Sequence, residues 1–346
     1  MAVEYRKMRA EDEHAVFDLR MRTWDAPSIE YVRAGALLDP RYLEHTFVAL
    51  DSGGTLLSTV RYWLWHIRDA EGTPRLVGCV ASVVTIESAR RQGHARKLMQ
   101  LAIDAMREDG CDWTLLLSSR MGPPLYEGLG YSLYQIPYYV GIVSGEQPQG
   151  GDRYSVRRLD PPFDIEDDTW RAVREIYAAY NARRPLSLVR DDGYWRGYFQ
   201  RSLLAPHASH EKALFVARDQ EGQDVGYLLA YIWTREIARE QHDLDQAFTV
   251  GEIGVMPGHE EALTALLSSA TGALTAHTEG QVGMTAMLPR ERRIEDAMRT
   301  ILGRSLRMVD QRRLMARSLL NADFKQEELE AIFFAPGANF WSMDHF

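Results

Sequence analysis

The sequence predicts a mixed α/β protein (α+β, mixed sheet) made of two domains in tandem, the second repeating the first. Three observations carry this. Strand-like and helix-like segments alternate through the first 143 residues. A polar stretch rich in Gly and Pro, from Ser144 to Gly151, then interrupts the pattern. Beyond it the same element order resumes with little sequence identity. A chain of 346 residues suits two domains of roughly 150 residues each. The expected boundaries are 1–143, a linker at 144–151, a second domain at 152–320 and a tail at 321–346.

Val3 to Arg9 reads as a strand and Glu11 to Trp24 as a helix, with Val16, Leu19 and Met21 among its apolar residues. A second helix over Ile29 to Leu38 stops before Pro40, which disfavours helix at the residue before it. Thr46 to Leu50, Leu56 to Ile67 and Arg75 to Ile86 follow as strands, parted by turns at Gly53-Gly54 and Glu71-Gly72. The run from Leu76 to Ile86 is almost continuously apolar, as in a strand covered on both faces. From Gly93 to Glu108, Ala95, Leu98, Met99, Ala102 and Met106 fall on one helical stripe. Trp113 to Leu117 is a buried strand. A short helix near Leu125 and a strand pair from Tyr131 to Val143 close the unit. The second half offers strands at Tyr154 to Arg158, Leu214 to Arg218, Val225 to Trp233, Phe248 to Met256, Met284 to Leu288 and Leu306 to Arg312. Its helices lie at Asp168 to Tyr180, Tyr194 to Phe199, Glu260 to His277 and Arg292 to Leu302, and a helical piece covers Asn321 to Phe334.

Composition excludes several classes. With 40 basic and 49 acidic residues the net charge is −9, which argues against broad nucleic-acid binding and suits a cationic substrate. No apolar run reaches the ~18 residues of a membrane span, and the N-terminus has no apolar core of a secretory signal. Cys79 and Cys111 are too few for a disulfide framework or a zinc site, so a cytoplasmic protein without metal is expected. Neither cysteine stands beside a recognisable His, so packing is the expected role of both.

The chemistry concentrates where the long buried strand meets a helix: Glu87-Ser88-Ala89-Arg90-Arg91-Gln92-Gly93-His94-Ala95. A helix start carries backbone N–H groups without intrahelical partners and about half a positive charge. Small residues let a phosphate approach, and arginines add charge-assisted hydrogen bonds. The segment therefore suits a pyrophosphate; by itself it could equally be a solvated basic turn. Some thirty residues on stands Pro123-Pro124-Leu125-Tyr126-Glu127-Gly128-Leu129-Gly130-Tyr131.

Together these resemble the GCN5-related N-acetyltransferases (GNAT). Arg90-x-x-Gly93-x-Ala95 after a buried strand is similar to their acetyl-CoA signature. Leu125-Tyr126-Glu127-Gly128-Leu129-Gly130-Tyr131 is similar to their L-Y-E-x-x-G-F/Y motif. The resemblance covers about residues 1 to 143. It implies two tandem acyl-CoA N-acyltransferase folds, the second degenerate. It also implies a strand that bulges and splays at Val83 and Thr85 to meet pantetheine, and a pyrophosphate loop of Arg90, Arg91, Gln92, Gly93, His94 and Ala95. Ser119 falls where the family often has a cofactor-binding Asn, and Glu87 where it often has Pro. Tyr126 matches the Tyr that protonates the leaving thiolate, a role open to a phenol of pKa ~10. The alternative for Tyr126 is amphipathic packing. His94 and Glu87 are set aside as bases, His94 for its place in the loop.

In the second half the matching joint is Met256-Pro257-Gly258-His259-Glu260-Glu261-Ala262, with carboxylates in place of arginines, so no CoA is expected there. This half resembles the degenerate domain of the Eis-like acetyltransferases, without a full sterol-carrier-like third domain. The tail carries Phe333, Phe334, Phe340, Trp341, Met343 and Phe346 and is expected to dock on the body. In those relatives a terminal Phe carboxylate acts as base; for Phe346 that role and simple packing both stand. By family analogy Asp25 and Glu30 are cation-recognition groups, or else ordinary helix-end residues. Trp24, Tyr31, Trp63, Trp65, Trp195 and Tyr231 are core rings or line the acceptor cleft.

The expected activity is transfer of acetyl from acetyl-CoA to a primary amine of a small molecule or peptide, cationic, by direct attack in a ternary complex. No nucleic acid or membrane partner is expected, and the relatives imply a homo-oligomer. The rivals are a non-catalytic acyl-CoA-binding module and a FemX-type aminoacyl transferase; the CoA loop argues against the latter.

Overall fold

The computed structural model describes residues 2–344 apart from 25, 27, 145–152, 165, 200–209, 277–279 and 320–323. Among the described residues, twelve strands form one continuous mixed sheet. In chain order they are β1 (Glu4–Lys7), β2 (Thr46–Leu50), β3 (Leu56–Arg68), β4 (Pro74–Thr85), β5 (Trp113–Leu117), β6 (Ser132–Ile142), β7 (Ser155–Leu159), β8 (His210–Arg218), β9 (Asp224–Trp233), β10 (Gln246–Val255), β11 (Val282–Ala286) and β12 (Arg307–Ser318). Across the sheet they run β1-β2-β3-β4-β5-β12-β6-β11-β10-β9-β8-β7. Most neighbours are antiparallel, but β4 is parallel to β5 and β10 to β11. Each half thus contributes five successive strands with one parallel step at its inner end, and the halves share the central pair β12–β6. The architecture is two tandem mixed α/β folds of like topology.

Alternation along β2 shows how the first half is covered. Phe47 and Ala49 face one cluster, built with α3 (His94–Glu108). Val48 and Leu50 face another, built with α1 (Glu13–Trp24) and α2 (Ile29–Ala36). Helix α3 sinks His94, Leu98, Met99, Ala102, Ile103, Ala105 and Met106 onto the strands. A Cβ at Gly78 of β4 would lie 2.1 Å from Met106 Sδ, so that glycine is what lets the helix approach so closely. In the second half α5 (Asp168–Tyr180) starts at Asp167, whose carboxylate accepts the Trp170 N–H at 2.7 Å.

Three sequence expectations change. The segment 131–143 is one strand, β6, rather than a pair, and it pairs with β12 and β11 of the second half. The strand expected at Leu306 to Arg312 continues to Ser318, because β5 on its other side offers a second ladder. On α1 the buried residues are Val16, Phe17 and Arg20, a stripe that includes a charge; Leu19 and Met21 are half-buried. A helix over Arg235–His242 was not anticipated. Among the described residues no helix is long and apolar enough to cross a membrane.

Candidate active site

The long buried strand β4 breaks its ladder near its end. Its partners on β3 run Arg61 with Ala81, then Thr59 with Val84, so β4 carries one extra residue. Ser82 takes it up at φ 54°, a left-handed conformation unusual for any residue but Gly. On the other side, β4 pairs with β5 from Val77–Trp113 to Val80–Leu116 and no further. The two strands therefore part at the bulge, and backbone groups there are released from the sheet. The expected bulge at Val83 and Thr85 is centred one residue earlier, at Ser82. Val83 lines the opening. Thr85 instead places its hydroxyl 2.8 Å from that of Ser58.

The parting strands open into a cavity of about 610 Å³. Its walls come from β4 and β5 (Ala81, Ser82, Val83, Leu117), from Ser119 and Tyr126 beyond β5, and from α1, α2 and β3. Tyr126 sits in α4 (Pro123–Glu127), which Pro at its first positions predisposes to helix. Its ring is 7 % exposed and packs edge-on against Tyr131 at 6.0 Å. Burial pushes its pKa up to about 12, so the phenol stays protonated through neutral pH. Gly122 is held to hydrogen size here: a Cβ would meet Ser118 Oγ at 2.6 Å and the Tyr126 ring at 2.8 Å.

After β4 the chain makes a short 3₁₀ turn at Glu87–Ala89 and reaches the loop. Arg91 and Gly93 both have positive φ, at 64° and 85°. Gly93 is the N-cap of α3 and offers no side chain to cap it. The first helical bond runs from Lys97 N–H to the Gly93 carbonyl, so the first-turn amides have no intrahelical acceptor. Nothing lies within 4 Å of where a Gly93 Cβ would be, and Arg90, Arg91 and Gln92 are exposed. Open amides, a helix N-terminus and two exposed cations fit a pyrophosphate. His94 is different from expectation: its ring is buried, with Nδ1 2.8 Å from the Tyr5 hydroxyl, so only its main chain faces the loop. Ala95 is half-buried behind it. Arg96 donates to the Gly128 carbonyl at 2.8 Å and so ties α3 to the Tyr126 segment.

The far wall holds what sequence reasoning missed. Arg20 and Arg61 are 4 % and 3 % exposed and both line the cavity. Arg61 stacks on Trp63 at 3.8 Å, donates to the Ala36 carbonyl at 3.1 Å and lies 3.4 Å from Asp39. Asp39 is shared: its Oδ2 is also 2.8 Å from His45 Nδ1. Burial works against ionised Asp39, but His45 and Arg61 hold its carboxyl below the usual range. For Arg20, Nε and Nη2 are buried without any hydrogen-bond partner. A signal existed in the sequence: Arg20 follows Val16 by four residues and Phe17 by three, on the buried face of α1. The lining contains no carboxylate among the described residues, so the expected cationic acceptor meets two guanidinium groups there. Glu30 is exposed, and Asp25 lies outside the described residues.

The second half repeats the geometry and fills it. β10 pairs with β11 up to Val250–Ala286, and its own bulge falls at Gly251. Into that place comes the tail: Ser342 Oγ donates to the Gly251 carbonyl at 3.0 Å, and a Cβ on Gly251 would meet that oxygen at 2.5 Å. Asp344, fully buried, accepts from Arg190 Nε at 2.9 Å and from the Tyr194 hydroxyl at 2.6 Å, while Arg190 forks onto Glu252 at 3.0 and 2.6 Å. At the following helix start, Glu260 accepts the Gly258 N–H at 3.0 Å, placing a carboxylate where the first half leaves amides open. Phe346 lies outside the described residues. Cys79 and Cys111 are buried in the core; burial raises the Cys79 thiol well above its usual range and Cys111 to about 12, which removes both as thiolate nucleophiles.

Comparison with known proteins agrees with this geometry. Residues 4–134 match the family model described as acetyltransferase (GNAT) domain. No curated protein matches the chain in sequence. Among solved structures, a probable N-acyltransferase of unknown function from Enterococcus faecalis superposes with a TM-score of 0.69 at 15 % identity, covering 92 % of this chain and 73 % of that one. Eis1 from Mycobacterium abscessus gives 0.60 at 15 %, covering 92 % and 74 %. A tandem GNAT protein from the clavulanic acid biosynthesis pathway gives 0.53 at 14 %, covering 93 % and 100 %. At such identities the likeness is one of fold. Residues 4–134 thus match a GNAT acetyltransferase domain, and the whole chain carries two such folds in tandem.

Proposed function

We propose that this protein is an N-acetyltransferase that moves acetyl from acetyl-CoA to a primary amine by direct attack in a ternary complex. The observation that carries the reading is one cavity in which the Ser82 bulge and the buried Tyr126 phenol meet, reached along β4 from an open helix N-terminus. The amides at the start of α3, with Arg90 and Arg91, hold the pyrophosphate. Released backbone at Ser82 and Val83 takes the pantetheine arm and polarises the carbonyl under attack. Acetyl-CoA supplies the acyl thioester. The acceptor nitrogen gives its lone pair to that carbonyl carbon and the carbon–sulfur bond breaks. Tyr126 donates its proton to the departing sulfur, and solvent or a base takes the proton from nitrogen. Tyr126, with its pKa pushed up to about 12, holds that proton at working pH.

The second fold is read as a scaffold that binds no CoA, because its own strand parting is occupied by the tail. A cytoplasmic setting fits the two reduced cysteines. The test is thiol release from acetyl-CoA over an amine panel, together with cofactor binding. Binding without turnover on any amine, unaltered by Tyr126→Phe, would leave an acyl-CoA-binding module. Unaltered cofactor affinity in the Arg90→Ala/Arg91→Ala double variant would remove the loop from the site.

A further inference from the structure

The cavity that takes the acceptor contains an unpaid charge. Arg20 carries a guanidinium that stays protonated under ordinary conditions. It is 4 % exposed, and two of its nitrogens are buried without a partner. Burying an unpaired ion costs several kcal/mol, so such a group normally has an anion or dipoles aimed at it. The neighbouring charge makes matters worse: burial and then repulsion by Arg61 both push the Arg20 pKa down. The nearby Asp39 is engaged by His45 and Arg61. Two positive side chains therefore face one cavity whose described lining holds no carboxylate.

Position narrows the ligand. Arg61 is the direct cross-strand partner of Ala81, the residue before the Ser82 bulge. Cross-strand neighbours stand about 5 Å apart, so Arg61 is rooted beside the bulge, and Arg20, Arg61 and Ser82 line the same cavity. Trp24, Tyr31, Val32 and Trp63 give the same cavity an apolar and aromatic wall.

We infer that the acceptor is an amine carrying a carboxylate a few bonds away, on an apolar or aromatic body, with Arg20 as the carboxylate-binding residue. An α-amino acid has this chemistry. The inference rests on the acetyl-transfer reading of the same cavity, and it replaces a purely cationic acceptor by one with an acid group.

The experiment uses the full chain and matched probes: phenylalanine, leucine and tryptophan, each against its own amide, with acetyl-CoA and thiol detection. In parallel, melting temperature is followed with N-acetylphenylalanine and with N-acetylphenylalaninamide. The expected result is kcat/KM at least about tenfold higher for an acid than for its amide, a loss typical of one charged hydrogen-bond pair. Arg20→Gln should bring that ratio to within about threefold, chiefly through KM, and Arg20→Lys should keep part of it. Equal rates for every acid and its amide would overturn the inference and leave acetyl transfer standing. So would a preference for phosphoethanolamine, or an acid preference confined to the donor, seen as faster turnover of succinyl-CoA with plain amines. If no amine releases thiol, the transferase reading fails and the melting arm decides alone. Stabilisation by the acid but not the amide, abolished in Arg20→Met, supports the carboxylate site; equal shifts overturn it. Without ligand, Arg20→Met should melt at or above wild type, since it removes a buried unpaired charge; a marked fall would make Arg20 structural instead.

Discussion

At Tyr126 the physics of burial and the proposed chemistry coincide. A phenol in water loses its proton near pH 10, whereas this one is held to about 12 by its buried position. Tyr126→Phe keeps the ring and its packing on Tyr131 and removes the proton, so kcat should fall by about 10² or more with little change in the KM for acetyl-CoA; steady-state kinetics separates the two. Its raised pKa also has a stability consequence. Above pH 10 the unfolded chain releases this proton and the folded one keeps it, so unfolding gains with rising pH until about 12. Up to roughly 3 kcal/mol is lost across that window, and Tyr126→Phe should flatten this part of an alkaline denaturation curve. Ser82 makes the complementary point in the backbone. Its φ of 54° costs a residue with a Cβ of order 1 kcal/mol or more. Ser82→Gly should therefore raise stability by about 0.5–1 kcal/mol in urea unfolding, while Ser82→Val should lower it and weaken cofactor binding.

At the scale of elements, the site is made by where β4 and β5 stop pairing. Four register pairs hold them parallel, and past Val80 the extra residue turns β4 away. The helix that follows starts with a glycine in the left-handed region and no capping side chain, an arrangement that favours a ligand over self-satisfaction. Replacing both Arg90 and Arg91 by Ala should raise the KM for acetyl-CoA by about tenfold or more, and the residual binding should depend less on salt, because two screened contacts are gone. The same joint in the second half is closed by its own residues, Glu260 on the Gly258 amide and the tail on Gly251. One fold thus appears twice, once open and once sealed.

At the scale of the whole molecule, the halves are locked by exchange. β12 stands between β5 and β6, and β6 pairs with β11. Residues 1–143 expressed alone would leave both β5 and β6 with unpaired edges. This fragment should fail to give a stable monomer by gel filtration and circular dichroism, and co-expression with residues 153–346 should restore it. The tail is anchored by a buried ion group. Removing Arg190 strands two buried carboxylates, Glu252 and Asp344, so Arg190→Met should cost about 3–5 kcal/mol in unfolding free energy. Asp344→Asn, which leaves the Arg190–Glu252 fork in place, should cost clearly less.

Much of this was legible in the sequence. The segments Thr46–Leu50, Trp113–Leu117, Asp168–Tyr180 and Arg292–Leu302 have in the structure the bounds read from the sequence, since each is a short apolar or amphipathic run whose burial local residues supply. The loop at Arg90 to Ala95 and the Tyr126 segment stood out by their likeness to the acetyltransferase motifs, and the structure puts the first at an open helix start and Tyr126 in the cavity wall. What the tertiary structure alone decided depends on contacts far apart in the chain. The path of β12 into the first half, the tail's seat at Gly251 and the inward turn of His94 toward Tyr5 were set by pairing and packing across 89 residues or more. Packing over a shorter separation also made Arg20 meet Arg61, two charges on separate elements that share one cavity because α1 lies over β3. A local pattern fixes which face is buried; what it is buried against is a property of the assembled chain.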